Sequence, residues 1–107
     1  ASLLKKDPSF AELPEEARKH AVRGDILIND GRFADALVEY AAAVKLAPFN
    51  PPLHFNAALI HGQLKAYREA VKSMNVYLQL LPDAPNAREA KDEIYKWEFA
   101  LEQEGKK

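Results

Sequence analysis

The side chains best suited to ligate a metal or shuttle a proton near neutral pH are His20, His54 and His61, and their spacing fits neither task. His54 and His61 stand seven residues apart, about two helical turns, too far to share one ion directly, and no pair has the i, i+4 spacing of a zinc-binding helix. Glu15–Glu16 and Glu102/Glu104 are paired carboxylates that acid–base chemistry could use. They fall at helix ends in charge-rich stretches, which is the pattern of a solvated face. Ser2, Ser9 and Ser73 have no His–Asp partner in view, and the glycines at 24, 31, 62 and 105 are too scattered to form a phosphate loop. With no cysteine, disulfides, thiol nucleophiles and Cys-based zinc sites are excluded. The chain is read as a non-catalytic scaffold with no metal and no cofactor.

Charge narrows the partners. The net charge of −1 carries no basic stripe of the kind that nucleic acid or an anionic membrane calls for. No apolar run approaches the ~18 residues a bilayer span needs, so membrane insertion is not expected. The chain opens Ala1-Ser2-Leu3-Leu4-Lys5-Lys6, with neither an initiator Met nor a visible signal peptide. That opening suits a processed or excised fragment. It leaves the compartment open, cytoplasmic or exported after loss of a signal.

The elements that must position any site come from one spacing. Ala36-Leu37-Val38-Glu39-Tyr40-Ala41-Ala42-Ala43-Val44-Lys45-Leu46-Ala47-Pro48 returns in pattern, without a gap, as Ala70 to Pro82, an offset of 34 residues. A fixed period of this size marks a solenoid of stacked helical hairpins. Pro14 opens the first helix at a position where its missing N–H costs nothing, and Glu15 and Glu16 complement the positive end of its dipole. Ala17, Ala21, Gly24, Leu27 and Ile28 give that helix one apolar or small face, ended by Asn29-Asp30-Gly31. The second helix carries Phe33, Ala36, Leu37, Tyr40, Ala43 and Val44, with Pro48, Pro51 and Pro52 read as its terminators. Leu53, Ala57, Ile60, His61 and Leu64 mark the third helix, and Tyr67, Ala70, Val71, Met74, Tyr77 and Leu78 the fourth. After Pro82 and Pro85, Ala87, Ala90, Ile94, Trp97 and Leu101 form the stripe of a fifth, with Tyr95 and Phe99 off that stripe and Gly105 to Lys107 fraying. No stretch alternates with period two, so no strand is expected.

The pattern resembles the tetratricopeptide repeat family. Its signature residues are supplied first by Gly24, Phe33, Ala36, Tyr40, Ala43 and Pro48, and again by Ala58, Tyr67, Ala70, Met74, Tyr77 and Pro82. Four positions depart from it: Tyr77 replaces a small residue, His20 and His54 stand where Trp is common, and Lys65 replaces the turn glycine that Gly31 provides. The resemblance implies an all-α fold, a right-handed α-solenoid of two hairpins with a C-terminal capping helix. The divisions are 1–13, an N-terminal extension or the tail of an upstream repeat; 14–50 and 51–84, the hairpins; and 85–107, the capping helix. It also implies a concave groove lined by the first helix of each hairpin, where a peptide or helical segment of a protein partner would lie. On matching positions the groove residues are Arg18, Val22, Asp25 and Asn29, then Phe55, Asn56, Leu59 and Gln63, continued by Glu89, Glu93 and Trp97, with Asn86 and Ala90 on the same surface. A family subset clamps the acidic C-terminal tails of heat-shock chaperones with Lys, Asn and Arg; here only Asn56 agrees, and Ala21, Asp25, Asn86 and Ala90 hold the other places. Charge-assisted bonds to two carboxylates need those cations, so a neutral, apolar or mildly basic segment is expected instead. The alternative use of such an array is structural, by weak homo-oligomerisation or docking within a larger protein through its open ends.

Overall fold

The computed structural model describes residues 13–106, and the segment read as an N-terminal extension lies almost wholly outside them. Five helices follow in order: α1 (Glu15–Asn29), α2 (Phe33–Leu46), α3 (Pro51–Gln63), α4 (Tyr67–Leu80) and α5 (Ala87–Gly105). Each packs chiefly on its neighbour in sequence, α1 on α2, α2 on α3, α3 on α4 and α4 on α5. The described residues contain no strand, and the fold is an all-α helical repeat.

The repeat is reproduced at the level of single hydrogen bonds. After α1, Arg32 N–H donates to the Leu27 carbonyl at 2.8 Å and Gly31 N–H to Ile28 at 2.9 Å. After α3, at the same 34-residue offset, Ala66 N–H donates to His61 at 2.9 Å and Lys65 N–H to Gly62 at 3.1 Å. These bonds absorb carbonyls that a helix end leaves open. They require a left-handed residue at the turn: Gly31 has φ +75° and Lys65 has φ +60°. Glycine reaches that region at no steric cost, whereas lysine is strained there. The second turn thus keeps the geometry after losing the residue that favours it.

Pro51 and Pro52 do not terminate α2. That helix ends at Leu46, and the two prolines form the first turn of α3. An N-terminal turn needs no N–H donor, so proline fits there as well as after a helix. Gly105 likewise falls inside α5.

Two apolar clusters hold the array. The first joins Leu13, Ala17, Ala21 and Ile28 to Ala36, Tyr40 and Ala43, and takes Leu53 and Ile60 from α3. The second joins Ala58 of α3 to Ala70, Met74 and Tyr77 and to Ala90, Ile94 and Trp97 of α5. Helix α3 contributes to both, which is why it reads as apolar nearly all round rather than as an amphipathic stripe. Ala36 and Ala70 are fully buried where the helices of each hairpin cross. Gly24 and Tyr40 of the first hairpin correspond to Ala58 and Met74 of the second. A Cβ on Gly24 would lie 2.6 Å from Tyr40 Cδ2 and Cε2. The smaller residue therefore accompanies the bulkier ring, and the pair conserves space.

Tyr77 explains itself in the same way. In place of the small residue its position normally holds, its ring lies 5.0 Å from that of Phe55, centroid to centroid, and its hydroxyl donates to Asn86 Oδ1 at 2.6 Å. Asn86 is the residue before α5, so this side chain ties the last helix to the second hairpin. A second tie is Trp97 of α5, whose indole lies against Gly62 of α3; a Cβ there would come within 2.7 Å of Nε1.

Candidate functional site

Helices α1, α3 and α5 pack chiefly on α2 and α4, and single side chains connect them. Asp25 of α1 and Asn56 of α3 both influence the Tyr40 phenol, and Trp97 of α5 covers Gly62 of α3. Burial raises the Tyr40 pKa far above the ordinary phenol value, the negative charge of Asp25 raises it further, and the Asn56 amide offsets part of the rise. Tyr40 is therefore a neutral hydroxyl at any physiological pH. Among the described residues neither that oxygen nor the Asn56 Oδ1 meets a hydrogen-bond partner of good geometry, although the Asn56 amide lies near enough to favour the ionised phenol. Buried polar atoms are seldom left so, and these two belong to side chains that act on one another.

The residues expected to line the groove fall into three groups. Arg18, Val22, Asn29, Gln63 and Glu89 are exposed. Arg18 pairs with Glu15 at 3.2 Å, an exposed contact of little energetic weight. Asp25, Phe55, Leu59 and Glu93 are half-buried, with Glu93 held by Lys96 at 3.3 Å. Phe55 and Leu59 pack against the second cluster, so part of their apolar surface serves the fold. Asn56 is 2% exposed and Trp97 7%. Trp97 is spent in the α3–α5 joint, and the Asn86 amide oxygen is occupied by Tyr77.

Sequence reasoning missed the Tyr40 hydroxyl, which it counted only as a large apolar residue. The signal was available: tyrosine rather than phenylalanine brings a polar atom into a core position, and that atom needs a partner. The histidines also have definite places. His20 Nδ1 meets Glu39 Oε1 at 2.8 Å, and Arg23 reaches the other oxygen of the same carboxylate at 2.9 Å, tying α1 to α2. His54 Nε2–H donates to the Pro48 carbonyl at 2.7 Å, bracing the α2–α3 turn. His61 lies with Leu37, Val44, Ala57 and Lys72 along a furrow of about 340 Å³. Burial lowers its pKa below the ordinary imidazole value, and Glu69 offsets part of that. Among the described residues no three of His, Cys, Asp or Glu converge as metal ligands. Nor is any described helix long and apolar enough to cross a membrane.

Comparison with known proteins agrees with the geometry. The model of the tetratricopeptide repeat family matches residues 2–51 and again 21–85. The heat shock protein sti1 homolog of Schizosaccharomyces pombe is 31% identical over 74 residues, covering 69% of this chain and 12% of that protein. The Hsp70-Hsp90 organising protein of Plasmodium falciparum is 31% identical over 62 residues, covering 56% of this chain and 11% of its own length. The chain thus spans about an eighth of these curated relatives. No solved structure matches it. Two helical hairpins built on one 34-residue spacing, and a family match across both, place the chain in the tetratricopeptide repeat family.

Proposed function

We propose that this chain is a protein-interaction scaffold whose α1–α3–α5 face takes a segment of a partner polypeptide. The observation that carries the reading is the Asn56 carboxamide. It is buried, and its oxygen has no hydrogen-bond partner among the described residues. A backbone N–H from an extended or helical segment laid across that face would satisfy it, while Val22, Phe55 and Leu59 offer apolar contact on either side. No catalytic role is proposed for any residue.

One relative is named for organising Hsp70 and Hsp90, which raises the question of acidic chaperone tails as ligands. The side chains argue against them. Asp25, Glu89 and Glu93 bring negative charge to this face, and the cations that would grip two carboxylates are replaced by Ala21, Asp25 and Ala90. A neutral, apolar or mildly basic segment fits better. The test uses an array of immobilised fifteen-residue peptides of varied charge, with the hits measured by calorimetry. Neutral and basic apolar peptides should bind, and Val22→Asp and Asn56→Ala should each weaken them about tenfold or more while the helical spectrum is retained. Low-micromolar binding of an acidic C-terminal peptide, or hits indifferent to both substitutions, would defeat the proposal.

A further inference from the structure

Helix α5 carries two stripes. The first, Ala87, Ala90, Ile94 and Trp97, packs into the second cluster. The other runs Arg88, Asp92, Tyr95, Phe99, Glu102 and Lys106, at steps of 4, 3, 4, 3 and 4, and all six residues are exposed. That spacing keeps the six side chains in one line along the helix. At 100° per residue the line lies roughly 140° round from the buried stripe, on the flank away from Glu89 and Glu93. It is therefore a different surface from the groove proposed above, and nothing said of it rests on that reading. At its middle Tyr95 and Phe99 stand 60% and 61% exposed, one turn apart. A single exposed aromatic calls for no explanation, but a pair bracketed by charge makes a patch. The order along the line is basic, acidic, aromatic, aromatic, acidic, basic, and none of the four charges is ion-paired with a described residue.

Two occupants fit this face badly. One is a helix seated on α5 as α4 is seated on α3. Thirty-four residues before Asp92 stands Ala58, fully buried in the cluster that α4 shares. Packing of that closeness on α5 would bury the Asp92 carboxylate without a partner, which is costly. The other is a second copy. A parallel pair in register sets every charge of the stripe against itself. An antiparallel pair that lays Tyr95 on Phe99 sets Arg88 against Lys106 and Asp92 against Glu102, again like on like. Sliding either pair by one heptad sets each aromatic against a charge. We infer that this stripe docks one amphipathic helix of a different polypeptide, with the complementary order acidic, basic, apolar, apolar, basic, acidic at the same steps. Its apolar pair covers Tyr95 and Phe99, its two bases meet Asp92 and Glu102, and its two acids meet Arg88 and Lys106.

The probe is a synthetic peptide of α5's length in that order, locked helical by a staple on its far face. Its charge-reversed twin, which copies the order of α5 itself, is the control. Calorimetry on the full chain should show the matched peptide binding at least about tenfold tighter than the twin. Tyr95→Ser/Phe99→Ser should abolish that binding with the helical spectrum unchanged. Arg88→Glu, Asp92→Lys, Glu102→Lys and Lys106→Glu together should transfer the preference to the twin. Equal affinity for the two peptides, no binding of either, or binding that survives Tyr95→Ser/Phe99→Ser would overturn the proposal. So would a concentration-dependent rise in light scattering that the same double substitution abolishes, since the occupant would then be a second copy.

Discussion

The exchange of Gly24–Tyr40 in the first hairpin for Ala58–Met74 in the second predicts a strong energetic coupling. A methyl added at Gly24 would come within 2.6 Å of two Tyr40 ring carbons, about 1 Å closer than carbon atoms settle in contact. Tyr40 is fully buried, so its ring has little room to yield. Overpacking of this kind costs roughly 1–3 kcal/mol, against roughly 1 kcal/mol gained when alanine replaces glycine in a helix. Gly24→Ala alone should therefore destabilise by about 1 kcal/mol net. Tyr40→Met alone should lose about 1–3 kcal/mol through poorer filling, moderated because it removes an unsatisfied buried hydroxyl. Together the substitutions recreate the pair that α3 and α4 already accommodate, and the helix-propensity gain is then realised without the clash. The double mutant should be more stable than the sum of the singles implies by about 1–3 kcal/mol. Urea melts of the four proteins, analysed with a common slope, measure this directly. Additivity within about 0.5 kcal/mol would refute the reasoning, because the two sites would then not be sharing one space.

Other outcomes follow from single contacts. Lys65→Gly should raise stability by about 0.5 kcal/mol, the relief of left-handed strain exceeding the added freedom of the unfolded chain; Gly31→Ala, which meets no atom, should lower it by about 1 kcal/mol in the same melts. Gly62→Ala should push on the indole of Trp97, the chain's single tryptophan, and move its fluorescence to longer wavelength while most helical signal remains. Tyr77→Phe should cost about 0.5–1.5 kcal/mol by removing the bond to Asn86, with faster amide exchange in the first turn of α5 as the marker. His61 has a depressed folded pKa, so the unfolded chain binds the proton more readily as pH falls. Its contribution is complete above the ordinary imidazole range and is lost as pH drops through the folded value, so His61→Leu should flatten the pH dependence of the urea midpoint between about pH 7 and 5.

Much of this architecture was legible from spacing. The alanines at 36 and 70, the left-handed turn glycine at 31 and the five helical stripes follow from helical period and backbone sterics, which act locally. The role of Pro51 and Pro52 was not, because proline ends one helix and begins the next with equal ease. The site was less legible than the fold. Groove positions can be assigned by counting along α1, α3 and α5, but counting does not reveal which side chains the array uses for itself. Phe55 is drawn against Tyr77, a tyrosine where the first hairpin has Ala43, and Trp97 is drawn against Gly62 of α3. That is a long-range packing choice invisible in either segment alone. A tyrosine at core position 40 signalled a buried hydroxyl, but that its oxygen and that of Asn56 lack partners among the described residues emerges only when helices distant in sequence are brought together.

The double allegiance of α3 has a thermodynamic result. Leu53 and Ile60 belong to one cluster and Ala58 to the other, so neither half can melt without stripping this helix of a wall. Its amides should exchange only through global unfolding, and severing the chain near residue 48 should leave two fragments that do not fold alone. A ligand gripping the central helix would then slow the opening of both ends at once.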